Sequence, residues 1–200
     1  MTAPRRLALL GGSFDPPHLG HLHLAYQALE QLGCDEVWFI PAHQQPLKGA
    51  SALTAPSHRL AMVRLMVEGL PGMRVEPIET ERGGLSFAVD TVRAIRAAEP
   101  GAELCFLLGE DAARTLHRWR EPAALATMAR LVVCTRGETI GALPDGTPPV
   151  ERFATRRLDV SATEVRARVR AGLPVRGWVT DAVADYIAAC GLYRVGGEAP

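Results

Sequence analysis

A doubly wound α/β fold, a parallel sheet with helices on both faces, is the class this sequence predicts. Three observations carry that expectation. Short apolar runs alternate with helical segments of ten or more residues, the spacing that parallel crossovers require and hairpins do not. The first run, Leu7-Ala8-Leu9-Leu10, leads at once into Gly11-Gly12 and a helix start, the order in which α/β proteins present a phosphate-binding turn. Finally, His18, Lys48, Asp111 and Arg136 each fall just after an expected strand, where such a sheet binds its ligands.

Taken in order, Leu7 to Leu10 reads as a buried first strand. Gly11 and Gly12 allow the backbone to approach a ligand closely, and Pro17 suits a first helical turn, where a missing N–H costs nothing. Leu19 to Leu32 carries apolar residues at helical spacing. His18 and His21, three apart, project from one face of a helical turn. Beside the donor N–H groups of a helix start, they form a cradle for a polyphosphate. Asp15 is a candidate to touch a metal ion or its waters, or simply a turn former with Pro16.

Glu36 to Pro41 is the second strand, closed by proline. Ala42 to Thr54 is a polar loop carrying His43, Gln44, Gln45, Pro46, Leu47 and Lys48. Pro56 to Leu70 reads as the second helix, Met73 to Ile78 as the third strand and Phe87 to Ala98 as the third helix. Glu103 to Leu108 is a fourth strand ending in Gly109, and Leu131 to Thr135 a fifth. Glu138 to Glu151 is rich in Gly and Pro and reads as an exposed loop rather than a linker, because too little chain follows for an independent core. Phe153 to Val160 adds a last strand. Ser161-Ala162-Thr163-Glu164 forms a capping box with Ser161 as N-cap, and its helix runs through Arg166, Arg168 and Arg170 to Gly172. Thr180 to Ala189 is the final helix, stopped by Gly191. The expectation is a single Rossmann-like domain over residues 1–200, with a small helical part at about 161–195.

With 200 residues and 48% hydrophobic content, one well-cored domain is expected. Lys plus Arg and Asp plus Glu are equal at 22 each, so no basic field argues for nucleic acid. No apolar run approaches a membrane span, and the N-terminus enters the first strand without the apolar region of a signal peptide. Cys34, Cys105, Cys134 and Cys190 are scattered; Cys105 and Cys134 read as core residues rather than disulfides or zinc ligands, which points to a cytoplasmic protein. A dinucleotide turn lacks its Gly-x-Gly-x-x-Gly spacing, and two histidines without a nearby cysteine or carboxylate cluster make a poor metal site. His23, His43, His58 and His117 read as plain surface residues.

Gly11-Gly12-Ser13-Phe14-Asp15-Pro16-Pro17-His18-Leu19-Gly20-His21 resembles the (His/Thr)-x-Gly-His signature of the nucleotidylyltransferase superfamily, whose members transfer a nucleotidyl group and release pyrophosphate. On spacing alone, Ser161 to Arg166 favours an ordinary capped surface helix. Val160-Ser161-Ala162-Thr163-Glu164-Val165-Arg166 nevertheless matches that superfamily's Ile-Ser-(Ser/Ala)-Thr-x-(Ile/Val)-Arg, which binds ATP phosphates opposite the histidine motif. The resemblance implies ATP binding by Gly11, Gly12, Ser13, Phe14, His18, His21, Gly109, Ser161, Thr163 and Arg166, with His18, His21 and Arg166 catalytic.

Gly109-Glu110-Asp111 through Leu116 to Trp119 looks like the Gly-x-Asp-x-x-x-x-(Leu/Phe)-x-x-Trp pattern of bacterial nicotinate-nucleotide adenylyltransferases. Without it, Asp111 reads as a helix N-cap and Trp119 as a surface-capping aromatic. With it, Asp111 contacts a sugar and Trp119 stacks on a pyridine ring, roles that suit a carboxylate and an indole. Pro41 to Lys48 resembles the family's Pro-Asn-x-x-Pro-Pro-His-Lys loop, departing at Ala42 and Leu47. The role of the side chain absent at Ala42 falls to backbone or to His43. Ser86-Phe87-Ala88-Val89-Asp90-Thr91-Val92 resembles Ser-Tyr-Thr-x-x-Thr-(Leu/Ile), losing hydroxyls at Phe87 and Ala88. Lys48, Ser86, Thr91, Asp111, Trp119 and Arg136 are thereby implied on the acceptor side, with no protein metal ligand.

The implied reaction is adenylyl transfer from ATP to nicotinate mononucleotide, giving deamido-NAD and pyrophosphate, with Mg²⁺ held mainly by ATP phosphates. The alternatives are a nicotinamide mononucleotide or dual-specificity enzyme, a phosphopantetheine adenylyltransferase, and a non-catalytic nucleotide-binding module. Oligomeric state stays open.

Overall fold

The computed structural model describes residues 4–47, 53–135, 141–156 and 158–194. Its strands are β1 (Arg6–Gly12), β2 (Glu36–Pro41), β3 (Met73–Val75), β4 (Glu103–Gly109), β5 (Arg130–Thr135) and β6 (Glu151–Ala154). They form one parallel sheet of order β3-β2-β1-β4-β5-β6. The winding reverses between β1 and β4, so the crevice beyond their carboxyl ends is where ligands are expected.

The unbroken apolar runs reflect burial on both faces. Along β1, Ala8 and Leu10 face a core layer with α1 (Leu19–Gln31), α2 (Pro56–Val67), α7 (Ala162–Arg170) and α8 (Asp181–Ala189). Leu7 and Leu9 alternate to the opposite layer with α4 (Ala88–Ala98), α5 (Glu110–Thr115) and α6 (Pro122–Met128). The strand period of two thus divides one sequence run between two cores. Cys105 and Cys134 are buried in the first of them, as small apolar residues are.

Four sequence expectations change. The third strand stops at Val75: Glu76 N still donates to Phe39 O at 2.8 Å, but the next donor due on β2 is Pro41, which has no N–H to continue the ladder. Pro77 caps α3 (Ile78–Arg82). The last strand is Glu151–Ala154, not 153–160, because β5 pairs it only from Val132↔Glu151 to Thr135↔Ala154. Helix α1 starts at Leu19 with His18 as N-cap, which leaves Pro17 outside the first helical turn. Finally, α6 is unanticipated; it begins with Pro122 at its N-terminus and packs Leu125 into the second core.

Candidate active site

Strand β1 carries the chain to the crevice, and the turn after it is built around a buried phenylalanine. Phe14 has a positive φ of 50° and is only 2% exposed. Its ring lies edge-on to His21 at 4.8 Å and against Phe39 at 6.0 Å. Phe14 can therefore offer a nucleotide only backbone, and its side chain supports His21 from below. A Cβ on Gly12 would lie 3.2 Å from that ring, so a glycine there preserves the wedge. The Ser13 hydroxyl oxygen is buried and has no hydrogen-bond partner among the described residues, the condition of an atom awaiting a ligand.

The His18 backbone N–H donates to His21 Nδ1 at 3.1 Å, and the two imidazoles stack at 3.7 Å between centroids. With Nδ1 accepting, the neutral His21 ring carries its proton on Nε2, a donor suited to an anionic oxygen. Gly20 is required by this packing: a Cβ there would sit 3.0 Å from His18 Nδ1 and 3.5 Å from Val160 O. Gly20→Ala is expected to displace His18 and lower turnover about tenfold, with a melting temperature within a few degrees of wild type. A thermal melt beside a steady-state assay checks this, and unchanged turnover would show that His18 can shift without consequence.

Val160 belongs to the segment that opens α7, so the two signature segments meet at Gly20. Ser161 caps α7 by accepting from Glu164 N at 3.1 Å, but the expected capping box is only half formed. The Glu164 carboxylate accepts instead from Trp178 Nε1 at 2.8 Å. Trp178 also accepts Leu19 N on its carbonyl at 2.8 Å and is covered by Arg168 at 3.6 Å. It therefore ties the starts of α1 and α7 together. Arg166 donates from Nη1 to Asp15 O at 2.6 Å and from Nη2 to Thr163 Oγ1 at 3.2 Å.

Asp15 serves inside the structure as a fastener. It is 4% exposed; one carboxylate oxygen accepts from Tyr193 Oη at 2.7 Å and the other from Thr54 N at 3.4 Å. Burial, followed by the Asp15 charge, pushes the Tyr193 phenol well above its ordinary value, so it remains a donor. Among the described residues no group of three His, Cys, Asp or Glu side chains converges as a metal cage.

On the acceptor side, Gly109 is the N-cap of α5 and Asp111 lies exposed in its first turn, so Asp111 is not the cap. Trp119 is half-buried, edge-on to Phe106 at 6.2 Å, with Nε1 donating to Thr115 Oγ1 at 3.4 Å. Lys48 and Arg136 lie outside the described residues. Ser86 and Thr91 both bond within the framework. Ser86 is 8% exposed and its hydroxyl accepts from His43 N at 2.9 Å, while Thr91 is fully buried and donates to Glu79 at 2.7 Å. His43 is not a plain surface residue either: its Nδ1 contacts Gly84 O at 3.1 Å. His58 likewise bonds Tyr186 Oη at 2.8 Å.

Glu79, missed in the sequence, is 7% exposed beneath this junction. Burial raises its pKa above the ordinary 4.5, against the lowering effects of hydrogen bonds from Thr91 and Ser86 and of the Arg82 charge. Below 4.5 both folded and unfolded chains hold the proton; as pH rises toward the raised folded value, the unfolded chain releases it first and stability falls. Glu79→Gln is therefore expected to gain melting temperature relative to wild type between about pH 4 and about pH 8. Melts across that range test it, and a constant difference would refute the linkage.

Arg59, on α2, was also missed. It is 1% exposed and donates from Nε to Thr54 O at 2.8 Å, from Nη1 to Ser13 O at 2.7 Å and Ala42 O at 2.6 Å, and from Nη2 to His43 O at 2.8 Å. Ala42 and His43 are thus both tied to α2 through their backbone carbonyls. The sequence signal was present: Arg59 shares the helical face of Met62, Val63 and Met66, all buried.

The cytidylyltransferase-like family model matches residues 9–168 of this chain. A "Probable nicotinate-nucleotide adenylyltransferase" of Gemmatimonas aurantiaca is 53% identical over 196 residues, covering 94% of this chain and 92% of that protein. One of the same name from Herpetosiphon aurantiacus is 40% identical over 196 residues, with 94% and 98% covered. Among solved structures, a Plasmodium falciparum nicotinic acid mononucleotide adenylyltransferase complexed with NaAD superposes with a TM-score of 0.76 at 18% identity, covering 94% of this chain and 97% of that one. At that identity it bears on the fold, which is shared over nearly the whole chain. Both signature segments, 11–21 and 160–166, fall inside the matched span. The chain therefore belongs to the cytidylyltransferase-like family, among relatives that carry the name nicotinate-nucleotide adenylyltransferase.

Proposed function

We propose that this nucleotidyltransferase moves the adenylyl group of ATP onto nicotinate mononucleotide in NAD biosynthesis. The observation that carries the reading is the meeting of the two phosphate segments beyond β1: Arg166 bonds Asp15 O at 2.6 Å, on the turn that leads into the stacked His18 and His21. An acceptor phosphate oxygen attacks the α-phosphorus of ATP in line, its new P–O bond forming as the bond to the β-phosphate oxygen breaks and pyrophosphate leaves with that electron pair. A phosphate monoester is already a nucleophile near neutral pH, so no general base is required. Rate then comes from positioning and from stabilising charge on the phosphoryl oxygens.

In this reading the backbone of Gly11, Gly12, Ser13 and Phe14, with Gly109, lines the nucleotide. His18 and His21 hold the charge developing at the α-phosphate, and Ser161, Thr163 and Arg166 grip the β- and γ-phosphates. Donors and cations of this kind fit phosphate oxygens rather than a metal, so a Mg²⁺ ion would be held by the ATP phosphates and water, where it would supply further neutralisation of their charge. Asp111 takes ribose hydroxyls and Trp119 stacks on the pyridine ring, with Lys48 and Arg136 adding positive charge. The scattered free cysteines support a cytoplasmic setting.

The test is pyrophosphate release with Mg²⁺ and ATP, comparing nicotinate mononucleotide, nicotinamide mononucleotide and phosphopantetheine at equal concentrations. Strong preference for the nicotinate form is expected. Equal rates with the amide would establish a dual-specificity enzyme, and no release from folded, ATP-binding protein would leave a binding module.

A further inference from the structure

We propose that Arg59 is the positioning residue that sets the acceptor loop against the phosphate turn, coupling the two substrates; the proposal rests on the adenylyl-transfer reading above. One planar guanidinium group joins three separate stretches: Ser13 in the turn after β1, Ala42 and His43 immediately after β2, and Thr54 just before α2. On the reading above, the first stretch holds ATP, and the other two begin and end the 42–54 loop whose Lys48 is assigned to the substrates. Their relative placement decides whether the acceptor oxygen lies in line with the α-phosphorus.

Filling space is a poor account of this side chain. Its neighbours on the same face, Met62 and Val63, are fully buried apolar residues, but an apolar side chain at position 59 would leave four carbonyl oxygens without this donor. Burial works against the Arg59 charge, opposed by the charge of Asp15. What an apolar residue could not do is take up four carbonyl oxygens from three stretches at once. Lysine could not either, since its ammonium is a single point with three donors, whereas the guanidinium fork is flat and rigid. Two further bonds reinforce the same coupling. Thr54 N reaches the Asp15 carboxylate at 3.4 Å, and His43 N is held from its other side by Ser86 Oγ at 2.9 Å. The loop is thus fixed to the turn by Arg59 and to the 83–86 turn by Ser86.

Misplacement by about 1 Å in a reaction of this kind costs on the order of 100-fold. Arg59→Lys is therefore expected to lower kcat by roughly 10-fold to 100-fold and raise KM for nicotinate mononucleotide by about tenfold. KM for ATP should change by less than about threefold, and ATP should still raise the melting temperature, because the turn loses only its bond at Ser13 O and keeps those between His18 and His21 and from Arg166 to Asp15 O. Arg59→Met supplies the apolar replacement and Met62→Ala a purely structural comparison; the latter should lower the melting temperature with kcat and both KM values unchanged. If Arg59→Met does not fold, Arg59→Lys carries the test alone. Wild-type kinetics in folded Arg59→Lys would overturn the proposal, as would equal rises in the two KM values. Wild-type protein that transfers to no acceptor would instead overturn the adenylyl-transfer reading, and the coupling with it.

Discussion

His21→Ala is expected to lower turnover by roughly 100-fold or more while the protein stays folded. The geometry explains the size of the effect. His21 Nδ1 is occupied by the His18 backbone N–H, so the ring is held with Nε2 as its donor, and the Phe14 edge at 4.8 Å fixes its plane. A donor held this way needs no reorganisation as charge grows on a phosphoryl oxygen, which is what makes a single hydrogen bond worth several kcal/mol at a transition state. The loss should fall mainly on kcat, because the bond strengthens as the reaction proceeds. Steady-state kinetics with both substrates saturating check it, and a loss under about threefold would remove His21 from the chemistry.

Arg166→Ala should be as damaging, but through binding: kcat/KM for ATP is expected to fall by about 100-fold to 1,000-fold. The side chain has two tasks. Its Nη1 holds Asp15 O at 2.6 Å, which fastens α7 to the phosphate turn, and its charge faces the triphosphate in the proposed complex. Arg166→Lys separates them, since an ammonium can supply the charge but not both directions of the fork. Partial recovery, to within about tenfold of wild type, is expected for the lysine variant. Full recovery would show that the bond to Asp15 O is dispensable, and no recovery would assign the whole effect to geometry.

Much of this molecule can be read from local pattern. Glu36–Pro41 emerges as expected because an apolar, β-branched and aromatic run ending in proline has few alternatives. Ser161 and Thr180 are both N-caps whose side chains accept from the third residue on, as short hydroxyl residues before apolar spacing suggest. What local pattern does not show, by contrast, is the distant partners of polar groups. The Ser86 hydroxyl accepts from His43, 43 residues away in sequence, and Thr91 donates to Glu79. Asp15, open in the sequence between a metal contact and a turn former, gives its carboxylate to Tyr193, 178 residues on.

The sequence by itself determined the order of the strands and of the longer helices, the glycine turn, the two signature segments and hence the class of chemistry, because periodicity, turn residues and contiguous motifs are local properties of the chain. Only the tertiary structure decided which polar side chains are spent inside the protein and which remain for a ligand. A buried polar group must find a partner wherever the fold brings one, and Arg59, Glu79, Asp15 and Trp178 find theirs across the sheet's crevice or on a neighbouring helix rather than along the chain.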